Sequence, residues 1–257
     1  MHSEPVSSPS VAVAIPAYNE ADGIRGFLTE LDGALAPHVG SLRLIVVDDA
    51  STDSTQAAVE SVRAELSGQL ELVANPSNLG HGPTVLVGYR RALASGADLV
   101  LQVDGDGQFL GGDLRRLLVL LLDQAHAVSG VRRFRQDPWF RMVMTSVVRT
   151  YVRRSFGVNA RDPNCPLRGY EAPLLADLLT ELPEQCLIPN LYLTVVAARR
   201  GLALVEVDVS HRVRRGGSAQ GTSWGRERSP IPLRLVRFSV RALIESRRFR
   251  RALGPPA

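Results

Sequence analysis

Residues 101–109 read LQVDGDGQF. An apolar, β-like run, DLVLQV (98–103), leads straight into two aspartates, Asp104 and Asp106, which flank one glycine; Gln108 follows. Asp-Gly is ordinary turn chemistry, so the stretch alone reads as an acidic turn. What decides between a turn and a binding station is the company it keeps along the chain.

Three earlier segments share its plan. VAVAIP (11–16) runs into PAYNE, LRLIVV (42–47) into DDASTDST, and LELVAN (70–75) into NPSNLGHG. Between them lie helical patterns: ADGIRGFLTELDGAL with Ile24, Phe27, Leu28, Leu31 and Leu35 on one face, TQAAVESVRAEL behind a capping Asp53 or Ser54, and PTVLVGYRRALASG closing on Gly96. Continuous apolar strands alternating with amphipathic helices predict an α/β fold with a mostly parallel sheet covered on both faces. Ligands of such sheets bind at the carboxyl ends of the strands. All four polar segments fall there, which a set of strand-to-helix turns does not require. Further along, AHAVSGV (125–131) and LALVEVDVSH (202–211) read as strands, WFRMVMTSVVRTYVRRSF and LIPNLYLTVVAARRG as helices, and NARDPNCPLRGY as a loop.

Composition bounds the function. The chain has 257 residues, 45% hydrophobic and 22% charged, which suits one globular α/β domain. Its two cysteines, Cys165 and Cys186, have no CxxC spacing, so no disulfide framework or zinc site is expected and a reducing compartment fits. MHSEPVSSPS has no apolar signal-peptide core and reads as a disordered lead over 1–10. LLVLLL (117–122) is too short to span a bilayer. Residues 212–251 hold twelve arginines against Glu227 and Glu245, whereas the remainder holds eighteen arginines against twenty-four acids. A nearly neutral body with a basic end suggests an anionic surface as partner; no nucleic-acid partner is expected. The strand-one GxGxxG, the GxxxxGK[ST], GxSxG and HExxH patterns are all absent, which removes support for dinucleotide, P-loop, serine-hydrolase and zinc-protease chemistry.

Two aspartates one residue apart in extended backbone project to one side, and two hard oxygen ligands suit Mg²⁺ or Mn²⁺ completed by water and substrate phosphates. Gln108 can add an amide oxygen, and Gly105 and Gly107 can let a diphosphate approach the backbone. Of Asp48 and Asp49, one is expected to face the sheet end or cap the next helix and the other to face a base or ribose.

Taken in order, PAYNE (16–20), VDDASTDST (47–55), NLGHG (78–82) and DGDGQ (104–108) resemble the family-two glycosyltransferases of GT-A fold. Within that family the chain looks most like polyprenyl-phosphate sugar synthases of the dolichyl-phosphate mannosyltransferase type. SGVRR (129–133), DPNCPLRGY (162–170) and HRVRR (211–215) stand where that subgroup has further motifs. The resemblance runs from about Val11 to Ser218 and implies a catalytic domain over 11–218, followed by a basic amphipathic segment over 219–257. It implies that Pro16, Tyr18, Glu20, Asp49 and Gly80 frame the nucleotide sugar, and that Asp104 lies beside the donor. Asp106 with Gln108, joined by Asp104, would bind Mg²⁺ or Mn²⁺. Arg132 would face the phosphates, and Arg214 would close over the donor. The sequence departs from the pattern at His81, where a lysine is usual, at Pro166 and Leu167, and at Ala219 and Gln220; Asp162 and Arg168 stay in register.

The implied reaction moves a sugar from a nucleoside diphosphate to a polyprenyl phosphate, with inversion, on the cytoplasmic inner face of the cell membrane. A phosphate acceptor needs no base. A sugar hydroxyl would need one, for which Asp162 is the candidate, and a turn residue before Pro163 is the equal alternative. Arg141, Ser146 and Arg168 are the candidate acceptor contacts; Arg149, Arg153 and Arg154 either join them or lie on a solvated helix face. The last helix, over 233–251, either lies on an anionic membrane or packs on the sheet. A saccharide acceptor, and a catalytically silent nucleotide-sugar binder, remain the competing readings.

Overall fold

In the computed structural model, residues 8–132, 139–184, 186–215 and 233–254 are described, with side chains left out for 139–145 and 233–236. Seven strands form one sheet: β1 (Ser10–Ala17), β2 (Ser41–Asp48), β3 (Gln69–Ala74), β4 (Leu99–Gln102), β5 (Ala127–Arg132), β6 (Arg168–Glu171) and β7 (Val205–Val209). Their order is β3-β2-β1-β4-β6-β5-β7, with β6 antiparallel to both neighbours and every other pairing parallel. The helices are α1 (Ile24–Leu35), α2 (Thr55–Val62), α3 (His81–Ala94), α4 (Gly111–Leu122), α5 (Trp139–Phe156), α6 (Ala172–Leu179), α7 (Pro189–Arg199) and α8 (Leu233–Leu253). The expected α/β architecture is observed.

Alternation along the strands builds two cores. Val11, Val13 and Ile15 of β1, with Leu42, Leu44 and Val46 of β2, face α1, α2 and α4 through Phe27, Leu28, Leu31, Val59, Val62 and Leu117. Ala12, Ala14, Ile45 and Val47 face the opposite layer of α3 and α5 to α8 through Leu86, Tyr89, Val152, Leu175, Tyr192 and Phe249. Every α1 position expected on the core face is buried, each worth about 1.5–3 kcal/mol.

The chain runs outward through β1, β2 and β3, then returns past β1 to β4. That reversal leaves a crevice between the carboxyl ends of β1 and β4, the usual ligand position in such sheets. PAYNE leaves one side of it and DGDGQ the other.

The segment expected to be a loop up to Tyr170 ends instead in β6. Leu101 pairs with Gly169 and Gln102 with Arg168, while Ser129 pairs with Arg168 from the other side. RGYE has one large apolar residue and no alternation, so its strand character comes from two neighbouring backbones rather than from local pattern. Residues 216–232, including Ala219 and Gln220, lie outside the described residues, as does the greater part of the lead.

Candidate active site

Backbone hydrogen bonds knit the four strand ends together. Gly105 N–H donates to Pro16 O (3.0 Å), Asp49 N–H to Ala17 O (2.9 Å) and Asn75 N–H to Asp48 O (2.9 Å). The four polar segments therefore meet on one edge, as expected.

The two neighbouring aspartates divide their work inside the protein. Asp48 is fully buried and accepts from Ser51 N–H (3.2 Å), Ser51 Oγ and Gln56 Nε2 (2.7 Å), fixing the turn into α2. Asp49 accepts from Asn75 Nδ2 (2.9 Å), Leu79 N–H (2.8 Å) and Gly80 N–H (2.9 Å). Its carboxylate thereby orders the loop entering α3, and Gly80 spends its N–H on Asp49. Asp53 accepts from Thr55 N–H (2.9 Å) and holds Ala21 N–H (3.3 Å), tying PAYNE to the start of α2. Pro16 is buried and Tyr18 half-buried at the crevice.

Asp104 and Asp106 stand at the crevice floor. Asp104 Oδ1 accepts from Gln102 Nε2 (3.1 Å), and His81 Nε2, on the first residue of α3, lies 3.7 Å from the same oxygen. Asp106 Oδ1 accepts from Gln108 N–H (3.0 Å). Burial pushes the Asp104 carboxyl above its ordinary range, against His81, Arg132 and Arg214. Burial and the charge of Asp104 push Asp106 up to about 6. Glu20, buried beside them, is pushed up to about 7 by burial, although Arg214 pairs with it through Nε (3.0 Å) and a second guanidinium nitrogen. Three desolvated carboxylates within mutual Coulomb range disfavour full ionisation. A divalent cation relieves that condition.

The residues fit Mg²⁺ or Mn²⁺. Among the described residues no three His, Cys, Asp or Glu side chains form a metal cluster; the oxygen groups this loop offers are the carboxylates of Asp104 and Asp106 and the amide of Gln108. That is the set a hard cation takes when diphosphate and water supply the rest.

A strap of HRVRR lies across this floor. Arg212 N–H donates to Gln108 O (2.9 Å) and Arg215 N–H to Asp106 O (3.0 Å). Arg212 Nε reaches Gly107 O (2.6 Å), and Gln108 Nε2 reaches Arg212 O (3.4 Å). Arg212 and Arg215 both pair with Glu30 on α1, whose other oxygen accepts Gly111 N–H (2.7 Å). Sequence reasoning missed Glu30, since a charged residue on the polar face of a helix gives no signal.

The glycines of DGDGQ need a different explanation from the expected diphosphate approach. A Cβ at Gly105 would stand 3.0 Å from Pro16 O and 3.2 Å from Ala17 Cβ, and one at Gly107 would stand 3.1 Å from Arg215 side-chain carbons. Gly107 also has φ +66°, a backbone suited to glycine. The protein itself fills the space that these glycines leave.

Arg132 and Asp162 come together at the end of β5. Arg132 Nε donates to Asp162 Oδ2 (2.7 Å) and a terminal nitrogen to Oδ1 (2.9 Å), with the pair largely buried. The fork engages both oxygens of Asp162 and fixes the plane of the Arg132 guanidinium.

Arg168 is not an acceptor contact. It is fully buried, donating to Cys165 O (2.8 Å), Pro163 O (2.7 Å) and Tyr170 Oη (3.2 Å). It braces the 162–167 loop from β6. Ser146, Arg149, Arg153 and Arg154 are exposed on α5; the side chain of Arg141 lies outside the described residues, as does that of Trp139.

A mostly parallel sheet whose crevice carries paired aspartates, a buried glutamate and an arginine strap has the architecture of the GT-A fold class. Residues 12–175 match the family model for glycosyl transferase family 2, and the chain belongs to that family. Over 210 residues it is 26% identical to the undecaprenyl-phosphate 4-deoxy-4-formamido-L-arabinose transferase of Aeromonas hydrophila, covering 82% of this chain and 62% of that protein. The Klebsiella pneumoniae protein of the same name is 29% identical over 211 residues, with the same two coverages. The chain thus spans less than two thirds of these curated relatives. Glucosyl-3-phosphoglycerate synthase of Mycobacterium tuberculosis, solved with Mn²⁺, UDP and phosphoglyceric acid, superposes with a TM-score of 0.66 at 19% identity, covering 94% of this chain and 78% of that one.

Proposed function

We propose that the protein transfers a sugar, with inversion, from a nucleoside diphosphate to a polyprenyl phosphate at an anionic membrane surface. The observation that carries the reading is the pair Asp104 and Asp106 at the β1/β4 crevice, opposed by His81, Arg132 and Arg214. The relatives named for undecaprenyl-phosphate sugar transfer support the acceptor class.

Asp104 and Asp106, with Gln108, would hold Mg²⁺ or Mn²⁺, which supplies charge stabilisation for the departing diphosphate. PAYNE, with Pro16, Tyr18 and Glu20, frames the nucleotide, while Asp49 acts through the loop it orders, holding Leu79 and Gly80 at the entry to α3 rather than reaching the base or ribose itself. Arg132, steadied by Asp162, meets developing phosphate charge. Arg214 leaves Glu20 for the donor phosphates when the crevice fills. An ionised phosphate acceptor attacks without a general base, which agrees with Asp162 being occupied by Arg132.

The end of the chain supports the membrane part. The later turns of α8 dock on the domain: Phe249 stacks on Tyr192 (4.2 Å), Ser246 Oγ lies 2.8 Å from Tyr151 Oη, and Glu245 accepts Leu187 N–H (2.9 Å). Its earlier turns expose Phe238, Val240, Leu243 and Ile244 among the exposed Arg237, Arg241, Arg247 and Arg248. A docked helix with apolar and basic residues outward suits the headgroup region of an anionic bilayer. No helix among the described residues is long and apolar enough to cross one.

The test is nucleoside diphosphate release from UDP-, GDP- and dTDP-sugars with Mn²⁺, with and without a short polyprenyl phosphate. Release stimulated by the lipid, with sugar recovered on it, is the expected result. Stimulation only by a saccharide or phosphoglycerate would replace the acceptor, and binding of every donor without turnover would make the protein a silent binder.

A further inference from the structure

β4 carries one polar side chain into the sheet's interior. In LVLQ, every position is fully or almost fully buried, and Gln102 is 0% exposed. An amide there is costly unless its hydrogen bonds are met. Gln102 Nε2 donates to Asp104 Oδ1 (3.1 Å). Its Oε1 accepts from Asn190 Nδ2 (2.9 Å), in the first turn of α7. Asn190 Oδ1 in turn accepts from Tyr89 Oη (2.8 Å) on α3. Asn190 is 3% and Tyr89 0% exposed.

We propose that Tyr89, Asn190 and Gln102 are positioning residues that aim Asp104 at the metal–diphosphate station. The chain of donors has one direction. Asp104, when ionised, can only accept, so Gln102 must present its NH₂ to it. A buried amide can otherwise turn over and present its oxygen. Asn190 prevents this by donating to Gln102 Oε1, and Tyr89 fixes Asn190 in the same way. The Tyr89 hydroxyl, which also lies 3.5 Å from Gln102 Oε1, is thus linked to the carboxylate through both locked amides. With Oδ1 held inward by Gln102, Oδ2 is left to a cation or to the donor. Side chains that orient ligands in this manner are typically worth 10–100-fold in metal affinity.

The inference rests on Asp104 serving a metal site, so the probe is Mn²⁺ alone, with bound ion counted on the full chain by electron paramagnetic resonance of the free ion. Gln102→Met and Asn190→Ala should each weaken Mn²⁺ about tenfold, and the double variant should be no weaker than Gln102→Met, because Asn190 acts only through Gln102. Tyr89→Phe, which keeps the packing and removes one hydroxyl, should weaken Mn²⁺ in the same direction by less than the amide variants do, with a cooperative melt lowered by only a few degrees. Wild-type affinity in both Asn190→Ala and Tyr89→Phe overturns the proposal, as does a double variant whose losses multiply. Should Asn190→Ala fail to fold, wild-type affinity in Tyr89→Phe alone overturns it. Wild-type protein that binds no Mn²⁺ overturns the metal reading itself, and the proposal with it, which separates the two failures.

Discussion

Arg168→Met separates a brace from an acceptor contact. The guanidinium is fully buried and donates to two backbone carbonyls and one phenol. Methionine fills a similar volume and offers no donor. Thr194 Oγ1 still reaches Pro163 O (3.0 Å), so the loss falls hardest on Cys165 O. Hydrogen bonds from a charged donor are worth about 1.5–3 kcal/mol each, and removing a buried cation returns part of that. The net loss expected is about 2–4 kcal/mol, or roughly 5–15 °C in melting temperature for a chain of this size. Urea denaturation should show a lower midpoint at unchanged slope. Because the 162–167 loop carries Asp162, which holds Arg132, kcat should fall with stability while KM for the acceptor changes little. An unchanged midpoint with acceptor KM raised tenfold or more would refute the reasoning and return Arg168 to the acceptor site.

Three further outcomes follow from the same geometry. Glu20 titrates near 4.5 when unfolded and at about 7 when folded, so the folded form binds more protons between these values; the ligand-free protein should lose stability as pH rises through that window, and Glu20→Gln should flatten the slope in melting curves taken across it. Gly107→Ala places a side chain at φ +66° and against Arg215; a cost of about 1–2 kcal/mol and faster tryptic cleavage within 211–215 are expected, and unchanged cleavage would show that the strap tolerates the methyl group. Leu243→Glu with Ile244→Glu should weaken binding to anionic vesicles about tenfold or more with unchanged far-ultraviolet dichroism, and undiminished binding would move the membrane contact elsewhere.

The strands from β1 to β4 were legible because each is a continuous apolar run ending in polar residues, and that pattern alone places the crevice. Asp104, Asp106, Glu20 and Arg214 were legible through motif order, and the structure brings all four together. Arg168 misled because a cation beside a loop normally faces solvent; its burial depends on β4 and β5 closing over β6 from both sides, which no local pattern announces. Gly105 and Gly107 were correctly seen as special, yet the bodies that approach them belong to β1 and to the strap. Gln102 was passed over inside an apolar run, and its partner Asn190 lies 88 residues away. Glu30 gathers Arg212 and Arg215 from the far end of the domain, again a contact that only the folded chain defines.

The most direct measurement is Mn²⁺-dependent transfer of sugar from its nucleoside diphosphate to a short polyprenyl phosphate, comparing wild type with Asp106→Asn. Lipid-linked sugar should form with wild type and fall by about a hundredfold or more in the variant, with the fold intact by dichroism. Transfer that survives both the substitution and chelation of the metal would contradict the assignment of Asp104 and Asp106 as the metal and diphosphate station.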